Sequence, residues 1–369
     1  MTRHMKAEII QLGRQRDMLV GIAPAERLGR NPSMDPGFLL PGTRSVISLA
    51  HPLDGDIIRR YLGREDQVGY RDHERSVYLK LYATARDIAN LLTSHSFQAV
   101  VVLPNGDYRY KLGANNVPSA VPPTTITRLL EWLTADSSRV VANLKRLLVQ
   151  ALYKPAFGAV DWDLTPSFSH RYGAAAAGLG VIGWSGNLLT PQYGARVLLE
   201  SVLTDAELEP DPMLKESPCD GCRTCVKVCQ SGFIAVRDHE AVEIGGLRFV
   251  HNKKGHNIRC SIVCAGISGQ SRYSEWATWS SGRIRLPHSD EHIREFWDHL
   301  VKDNLWKQNH TSQMIKNLAL APDLTAGDAT SKYRVQPTCG FCQLVCWETR
   351  QARDENHALV IGRGKTTVG

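Results

Sequence analysis

From Glu74 to Thr93 apolar side chains recur at helical spacing, with Val77, Leu81, Ala85, Ile88 and Leu92 on one face and charged residues between them. A stripe of that period predicts an amphipathic helix over 74–93 that buries one side. On either side of it the pattern changes. Val46 to Ala50 and Val100 to Leu103 are short apolar runs rich in β-branched residues, the second closed by Pro104-Asn105-Gly106, and both predict strands. A second helix is expected after the caps Ser137 and Ser138, with Val140, Leu144, Leu147 and Ala151 along one face. Strands separated by helices give the first two hundred residues a layered α/β or α+β character.

The composition changes after Asp205. Ala206 to Pro218 carries Pro210, Pro212 and Pro218 among Glu207, Glu209, Asp211 and Glu216, and reads as a linker. All nine cysteines follow it. Between Cys264 and Cys339 runs a cysteine-free stretch holding Trp276, Trp279, Trp297 and Trp306, which reads as an inserted lobe, a lid or a partner-docking surface. The expected organisation is therefore a domain over 1–205, a cysteine-bearing domain over 206–264 and 337–350, and an insertion over 265–336. A length of 369 residues fits two or three domains, and 43% hydrophobic residues suffice for a packed core. The net charge of +7 favours an acidic partner but falls short of the basic stripe of a dedicated nucleic-acid binder. Met1 to Leu19 has charges throughout and no apolar core, so no secretory signal is expected, and no run approaches the ~18 apolar residues of a membrane span. The expected compartment is the cytoplasm, where clustered cysteines signify metal or catalysis rather than disulfides.

Cys219, Cys222, Cys225 and Cys229 form C-x-x-C-x-x-C-x-x-x-C, the bacterial run that wraps three corners of one [4Fe–4S] cubane and sends its fourth cysteine to another. Two-residue gaps let the loop curl over a cluster face with its amides toward sulfur. A partial run follows at Cys339, Cys342 and Cys346. By the crossed-ligand rule Cys346 completes the first cluster. Cys229, Cys339 and Cys342 then need a fourth thiolate, from Cys260 or Cys264. A structural zinc site uses two separated C-x-x-C pairs, which three cysteines at consecutive two-residue gaps fit poorly. Ferredoxin-type runs continue with Pro, whereas here Cys229 precedes Gln230 and Cys346 precedes Trp347. That change alters a turn without deleting a ligand.

Two clusters need only a short chain, so the upstream half has another task. Its most informative stretch is Asp161 to Asp205, with Ala177-Gly178-Leu179-Gly180, Ile182-Gly183, Asn187-Leu188-Leu189-Thr190-Pro191 and Tyr193-Gly194. Glycines there permit close approach of a planar ligand or of a neighbouring turn. The pattern is neither a dinucleotide fingerprint nor a P-loop.

Gly178 to Gly183, Asn187 to Gly194, Leu203-Thr204-Asp205 and the four-cysteine run, in that order, resemble the epoxyqueuosine reductase and reductive dehalogenase superfamily. Leu39 to Ile47, Arg259-Cys260-Ser261-Ile262 and Cys339 to Cys346 resemble epoxyqueuosine reductases as well, as does Arg71-Asp72-His73, where a lone His is more often structural. The resemblance implies an α+β protein: a nitroreductase-like cobalamin-binding domain followed by a ferredoxin-like domain with two [4Fe–4S] clusters. It places the missing cluster ligand at Cys260 and leaves Cys264 spare. It implies that electrons pass from the clusters to the corrinoid cobalt, and from a Co(I) state to a substrate above the corrin ring. Gly178, Leu179, Gly180, Ile182, Gly183, Leu188, Tyr193 and Gly194 become corrinoid contacts. Asp163, three residues before Pro166 as in the epoxyqueuosine enzymes, becomes the proton donor, with Asp161 and Tyr172 behind it. The segment Thr190 to Arg196 is closer to the dehalogenase version, which makes Asn187 and Arg196 candidate substrate contacts and places Tyr172 near the dehalogenase Tyr.

The helical-repeat region with which epoxyqueuosine reductases grip tRNA has no counterpart in the 23 residues after Cys346, and the insertion after Cys264 is longer than either family leads one to expect. These departures argue against tRNA and for a small organic substrate, with a low-potential donor such as ferredoxin or flavodoxin and no membrane partner. An epoxyqueuosine reductase acting on tRNA and a non-catalytic electron-transfer or activator protein are the alternatives.

Overall fold

The computed structural model describes residues 2–29, 31–102, 110–111, 118–119, 165–264, 268–269, 277–280, 285–302 and 338–363. The helix expected after Ser138 lies outside them. The chain opens with an amphipathic helix, α1 (Thr2–Arg14), whose Met5 and Ile9 are buried. Then come strand β1 (Leu19–Pro24), strand β2 (Ser45–Pro52), helix α2 (Gly55–Leu62) and the long helix α3 (Gln67–Ser94). Asp54 and Asp66 cap the two helices by accepting the amides of Ile57 and Gly69, each satisfying an otherwise orphaned first-turn N–H. The cap at Asp66 explains why α3 begins seven residues before the apolar stripe does. Val77, Leu81, Ala85, Ile88 and Leu92 are all fully buried, so the stripe is the docking face.

Strand β3 (Ala99–Val102) follows, and beyond the gap come helix α4 (His170–Ala176), the short pair β4 (Val181–Ile182) and β5 (Leu188–Leu189), and strand β6 (Val197–Thr204). The main sheet has the order β1-β2-β6-β3 with every pairing antiparallel, so the layered architecture is α+β rather than a parallel α/β sheet. Alternation divides the sheet cleanly. Ile22, Ile47, Leu49 and Val202 face a core shared with α1, α2 and α3. Ala23, Val46, Ala50 and Leu203 face the Ala174–Ala177 end of α4 and the glycine-rich turn after it.

The segment expected to be a linker is strapped to this domain instead. Ala206 and Leu208 are buried, and the Leu208 amide donates to the Ser45 hydroxyl at 3.0 Å. Asp211 accepts from the Lys6 ammonium at 2.7 Å and from the Ile22 amide at 2.9 Å. Its prolines keep the segment extended while a single acid anchors it, so composition alone misreads a docked strap as a tether.

Past the strap, helix α5 (Thr224–Lys227) leads into a hairpin of β7 (Ile234–Ile244) and β8 (Leu247–Lys254). Helices α6 (Asn257–Cys264), α7 (Asp290–Lys302), α8 (Phe341–Leu344) and α9 (Arg350–Arg363) complete the described elements. Within the insertion, Trp279 stacks on Tyr61 at 5.8 Å between ring centroids, so that part of it packs against α2. No helix is long and apolar enough to cross a membrane among the described residues.

Burial at the start of α3 pushes the Glu74 carboxyl up to about 7, although the Tyr70 hydroxyl donates to it at 3.3 Å. The folded chain therefore holds a proton there that the unfolded chain has already released, and stability falls as pH rises from about 4.5 through about 7. Glu74→Gln should raise stability at pH 8 by about 2 kcal/mol and leave it unchanged at pH 4, read by denaturant unfolding at the two pH values.

Candidate functional site

The nine cysteines are all free thiols, and the fold sorts them. Cys225 sits in the electrostatic reach of Cys346, Cys219 and Cys222, and Cys346 in that of Cys219 and Cys222. Cys342 is likewise surrounded by Cys229, Cys260 and Cys339. Two groups of four thiols thus lie side by side, with Cys342 and Cys225 the members that face each other. Among the described residues no three His, Cys, Asp or Glu side chains converge as the ligands of one metal ion would.

Cys225 and Cys346 are buried, Cys264 is exposed, and the other thiols are half-buried. Burial, reinforced by Cys219, pushes Cys346 up to about 12, and burial and Cys346 push Cys225 higher still. In the second group, burial raises Cys229 and Cys342. Backbone amides are aimed at several sulfurs: Trp184 donates to Cys219 and Ile234 to Cys229, each at 3.4 Å, while the amides of Phe341 and Gly340 donate to Cys339. Cationic groups lie close by. Arg353, itself buried, reaches Asp220 at 3.1 Å and acts on Cys346, drawing it down against burial. Asp220 also accepts the Cys222 amide at 3.1 Å; burial works against its charge, but that amide, Arg353 and Arg350 hold the carboxyl below its ordinary value.

Cys264 is not remote from this arrangement. Helix α6 carries it one turn beyond Cys260, and the two sulfurs are 3.6 Å apart. Its hydrogen bonds to Cys260 and Cys339 push Cys264 up, and the same contact draws Cys339 below its ordinary value.

Upstream, the glycine-rich segment closes on protein. Gly178 adopts φ +77°, and a Cβ there would strike the Pro212 carbonyl of the strap. Added Cβ atoms at Gly180 and Gly183 would meet Leu189. Leu179, Ile182 and Leu188 are buried in the core beside α4. Gly194 has φ +56° and lies directly against the Cys346 carbonyl and Trp347, while the Ala195 amide donates to that carbonyl at 2.7 Å. The Arg196 guanidinium is sandwiched between Tyr193, 5.3 Å from the ring centroid, and Trp347 at 4.8 Å, and donates to the Leu53 carbonyl at 3.0 Å. Of the expected contacts, Gly194, Tyr193 and Arg196 are therefore brought together against the last cysteine run.

Asn187 sits elsewhere. Its Oδ1 accepts from Arg171 at 3.4 Å, and its Nδ2 is buried without an acceptor among the described residues. Arg171 also donates to the Gly186 carbonyl at 2.9 Å, and Lys254 from the end of the hairpin lies over Gly186. Burial and the charge of Arg171 push Lys254 down to about 8. Tyr172 is half-buried beside these groups, and burial raises its phenol. His73 accepts the Asp54 amide at 2.9 Å through Nε2, a structural role at the α2 cap. Asp161 and Asp163 lie outside the described residues.

Sequence reasoning missed Trp184, Arg171 and Lys254. Lys254 is carried by the β7–β8 hairpin, whose signal was present: alternating residues around Gly245-Gly246, both with positive φ, as a two-residue hairpin turn requires.

Comparison with known proteins adds a name to one stretch of the chain. No family model matches. An epoxyqueuosine reductase of Bacillus cereus is 37% identical over 54 residues, 14% of this chain and 14% of the relative. One from a Synechococcus species is 41% identical over 61 residues, 16% of this chain and 19% of the relative. The chain is similar in sequence to epoxyqueuosine reductases. The matches span less than a fifth of those proteins' length. Among solved structures, an epoxyqueuosine reductase with a tRNA-Tyr stem loop superposes with a TM-score of 0.42 at 14% identity, over 100% of this chain and 83% of that one. A catabolic reductive dehalogenase superposes with a TM-score of 0.43 at 14% identity, over 85% of this chain and 36% of that one.

Gly194 carries the tightest approach between the two halves, so a methyl group there must move Cys346. Gly194→Ala should destabilise the chain by about 3 kcal/mol, measured by denaturant unfolding.

Proposed function

We propose that this chain is a reductase of the epoxyqueuosine reductase and reductive dehalogenase superfamily, with two [4Fe–4S] clusters and a corrinoid. The observation that supports the reading is the mutual electrostatic reach of eight thiols in two adjacent sets, Cys219, Cys222, Cys225 and Cys346 beside Cys229, Cys260, Cys339 and Cys342. Buried thiols that raise one another's pKa are poor neighbours without metal, and thiolate coordination removes that conflict. When bound, the clusters would supply low-potential electrons and the corrinoid a cobalt centre able to reduce an organic substrate.

The chain's own residues have definite tasks in this scheme. The amides of Trp184, Ile234, Gly340 and Phe341 donate to cluster-ligand sulfurs and offset their charge. The indole of Trp184, about 9% exposed, and the buried Val345–Trp347 segment keep water from the first group. Asn187 offers an unused buried N–H beside Arg171, Lys254 and Tyr172, which fits them to hold a polar edge of a ligand. The corrinoid contacts at Gly178–Gly183, Leu188, Tyr193 and Gly194 and the proton-donor role of Asp163 rest on the family resemblance.

Two substrates divide the superfamily. A small organic molecule is the reading we favour, served by a low-potential carrier such as ferredoxin or flavodoxin. Epoxyqueuosine in tRNA is the second, favoured by the 37–41% identity to epoxyqueuosine reductases.

The protein, purified anaerobically and reconstituted with iron and sulfide, should bind about one corrinoid per chain, measured as cobalt and by EPR. Retention of both clusters with no corrinoid bound would reduce the chain to an electron-transfer or activator protein. Complementation of a strain lacking epoxyqueuosine reduction would assign tRNA. Asp163→Asn should keep clusters and corrinoid while lowering turnover at least a hundredfold, the usual scale of a lost general acid.

A further inference from the structure

Four thiols are enough for one cubane, yet the second group has five within reach. Cys229, Cys339 and Cys342 each come from a loop or helix that offers no substitute. The fourth corner is different. Cys260 and Cys264 are four residues apart on α6, so both point to the same side of the helix, and their sulfurs are 3.6 Å apart. Cys264 is also in hydrogen-bonding contact with Cys339. Either sulfur can approach the same position by a side-chain rotation, with no change of backbone.

That backbone is held firmly at both ends. Arg259 of α6 donates to the Pro287 carbonyl at 2.7 Å and the His288 carbonyl at 2.8 Å, and pairs with Asp290. At the other end the Thr338 hydroxyl reaches the carbonyls of Val263 and Cys264, both at 2.8 Å. These are terminal carbonyls with no partner inside the helix, and Thr338 immediately precedes Cys339. The last turn of α6 is thus tied to the second cysteine run, and Cys264 is presented to it rather than left to fray into solvent.

We propose that Cys260 and Cys264 are interchangeable ligands for one iron corner of the second cluster. This rests on the two-cluster reading above. One sulfur binds iron while the other stands beside it as a thiol whose S–H points at the neighbouring thiolates. Exchange needs only that one thiolate leave the iron as the other, having lost its proton to water, replaces it; no electron is transferred. The arrangement keeps a resident replacement at the corner, where the Cys264 side of the helix is the more exposed.

The test compares the unaltered chain with Cys260→Ala, Cys264→Ala and the double variant, each reconstituted anaerobically. Iron per folded chain and low-temperature EPR are read, and the first cluster serves as an internal control of folding. Both single variants should retain about eight irons and two reducible cubanes, whereas the double variant should fall to about seven irons with an oxidised [3Fe–4S] signal. If Cys260→Ala alone shows the three-iron signal, Cys260 is the sole ligand and the proposal fails; if Cys264→Ala alone shows it, Cys264 is the sole ligand and it fails equally. A single variant that cannot hold either cluster also overturns it, because its position cannot then be vacated. An unaltered chain with fewer than two cubanes would instead overturn the two-cluster reading itself.

Discussion

A backbone contact fixes the last cysteine run against the upstream half: the Ala195 amide donates to the Cys346 carbonyl, over a glycine that leaves no room for a side chain. Everything near the last cysteine run is referred to it. The Gln343 side-chain amide donates to the Val197 carbonyl at 2.9 Å, the Tyr61 hydroxyl to the Cys339 carbonyl at 2.8 Å, and Arg196 lies between Tyr193 and Trp347. Strand β6, which begins at Val197, and the helix that carries Tyr61 thereby fix where Cys339, Cys342 and Cys346 stand. Chain order alone separates these residues widely. Packing at Gly194 makes them neighbours.

Gly178, Gly180 and Gly183 meet the strap and Leu189, so their small size is used to bring polypeptide against polypeptide. Free hydrogen-bonding capacity is found one step further along, at Asn187, where Arg171 and Lys254 converge. Lys254 lies near the second thiol group, within electrostatic reach of Cys342 and Cys260.

How much of this could be read from sequence depends on the range of the interaction. The α3 face and strands β2 and β3 are written in local periodicity, and the five stripe residues are all buried. Cys346 lies within electrostatic reach of Cys219 and Cys222, and the spacing of a ferredoxin-type run is a local pattern that brings such cysteines to attention. Contacts made by single residues far apart in the chain were not legible. Asp211 turns an apparent linker into a strap by meeting Lys6, and Arg196 lies in a slot between two rings, one of them on Trp347. No local pattern announces either. The hairpin after Cys229 lies between these cases, since its alternation and Gly-Gly turn were visible beside a louder cysteine signal.

Electrostatics gives the order in which such a structure can be completed. Unloaded, each group asks buried thiols to share a dry space, and burial with mutual repulsion drives Cys225, Cys346 and Cys342 far above the ordinary thiol range. Metal binding requires those protons to leave, so in the proposed scheme cluster insertion and proton release are one linked event. The donated amides and the guanidinium of Arg353 are already in place to receive the resulting charge. That readiness depends on α9 and the Cys346 segment being docked first, because Arg353 belongs to the one and Ala195 grips the other. In the proposed scheme the clusters, once bound, would hold the cysteine runs in the arrangement that Gly194 permits.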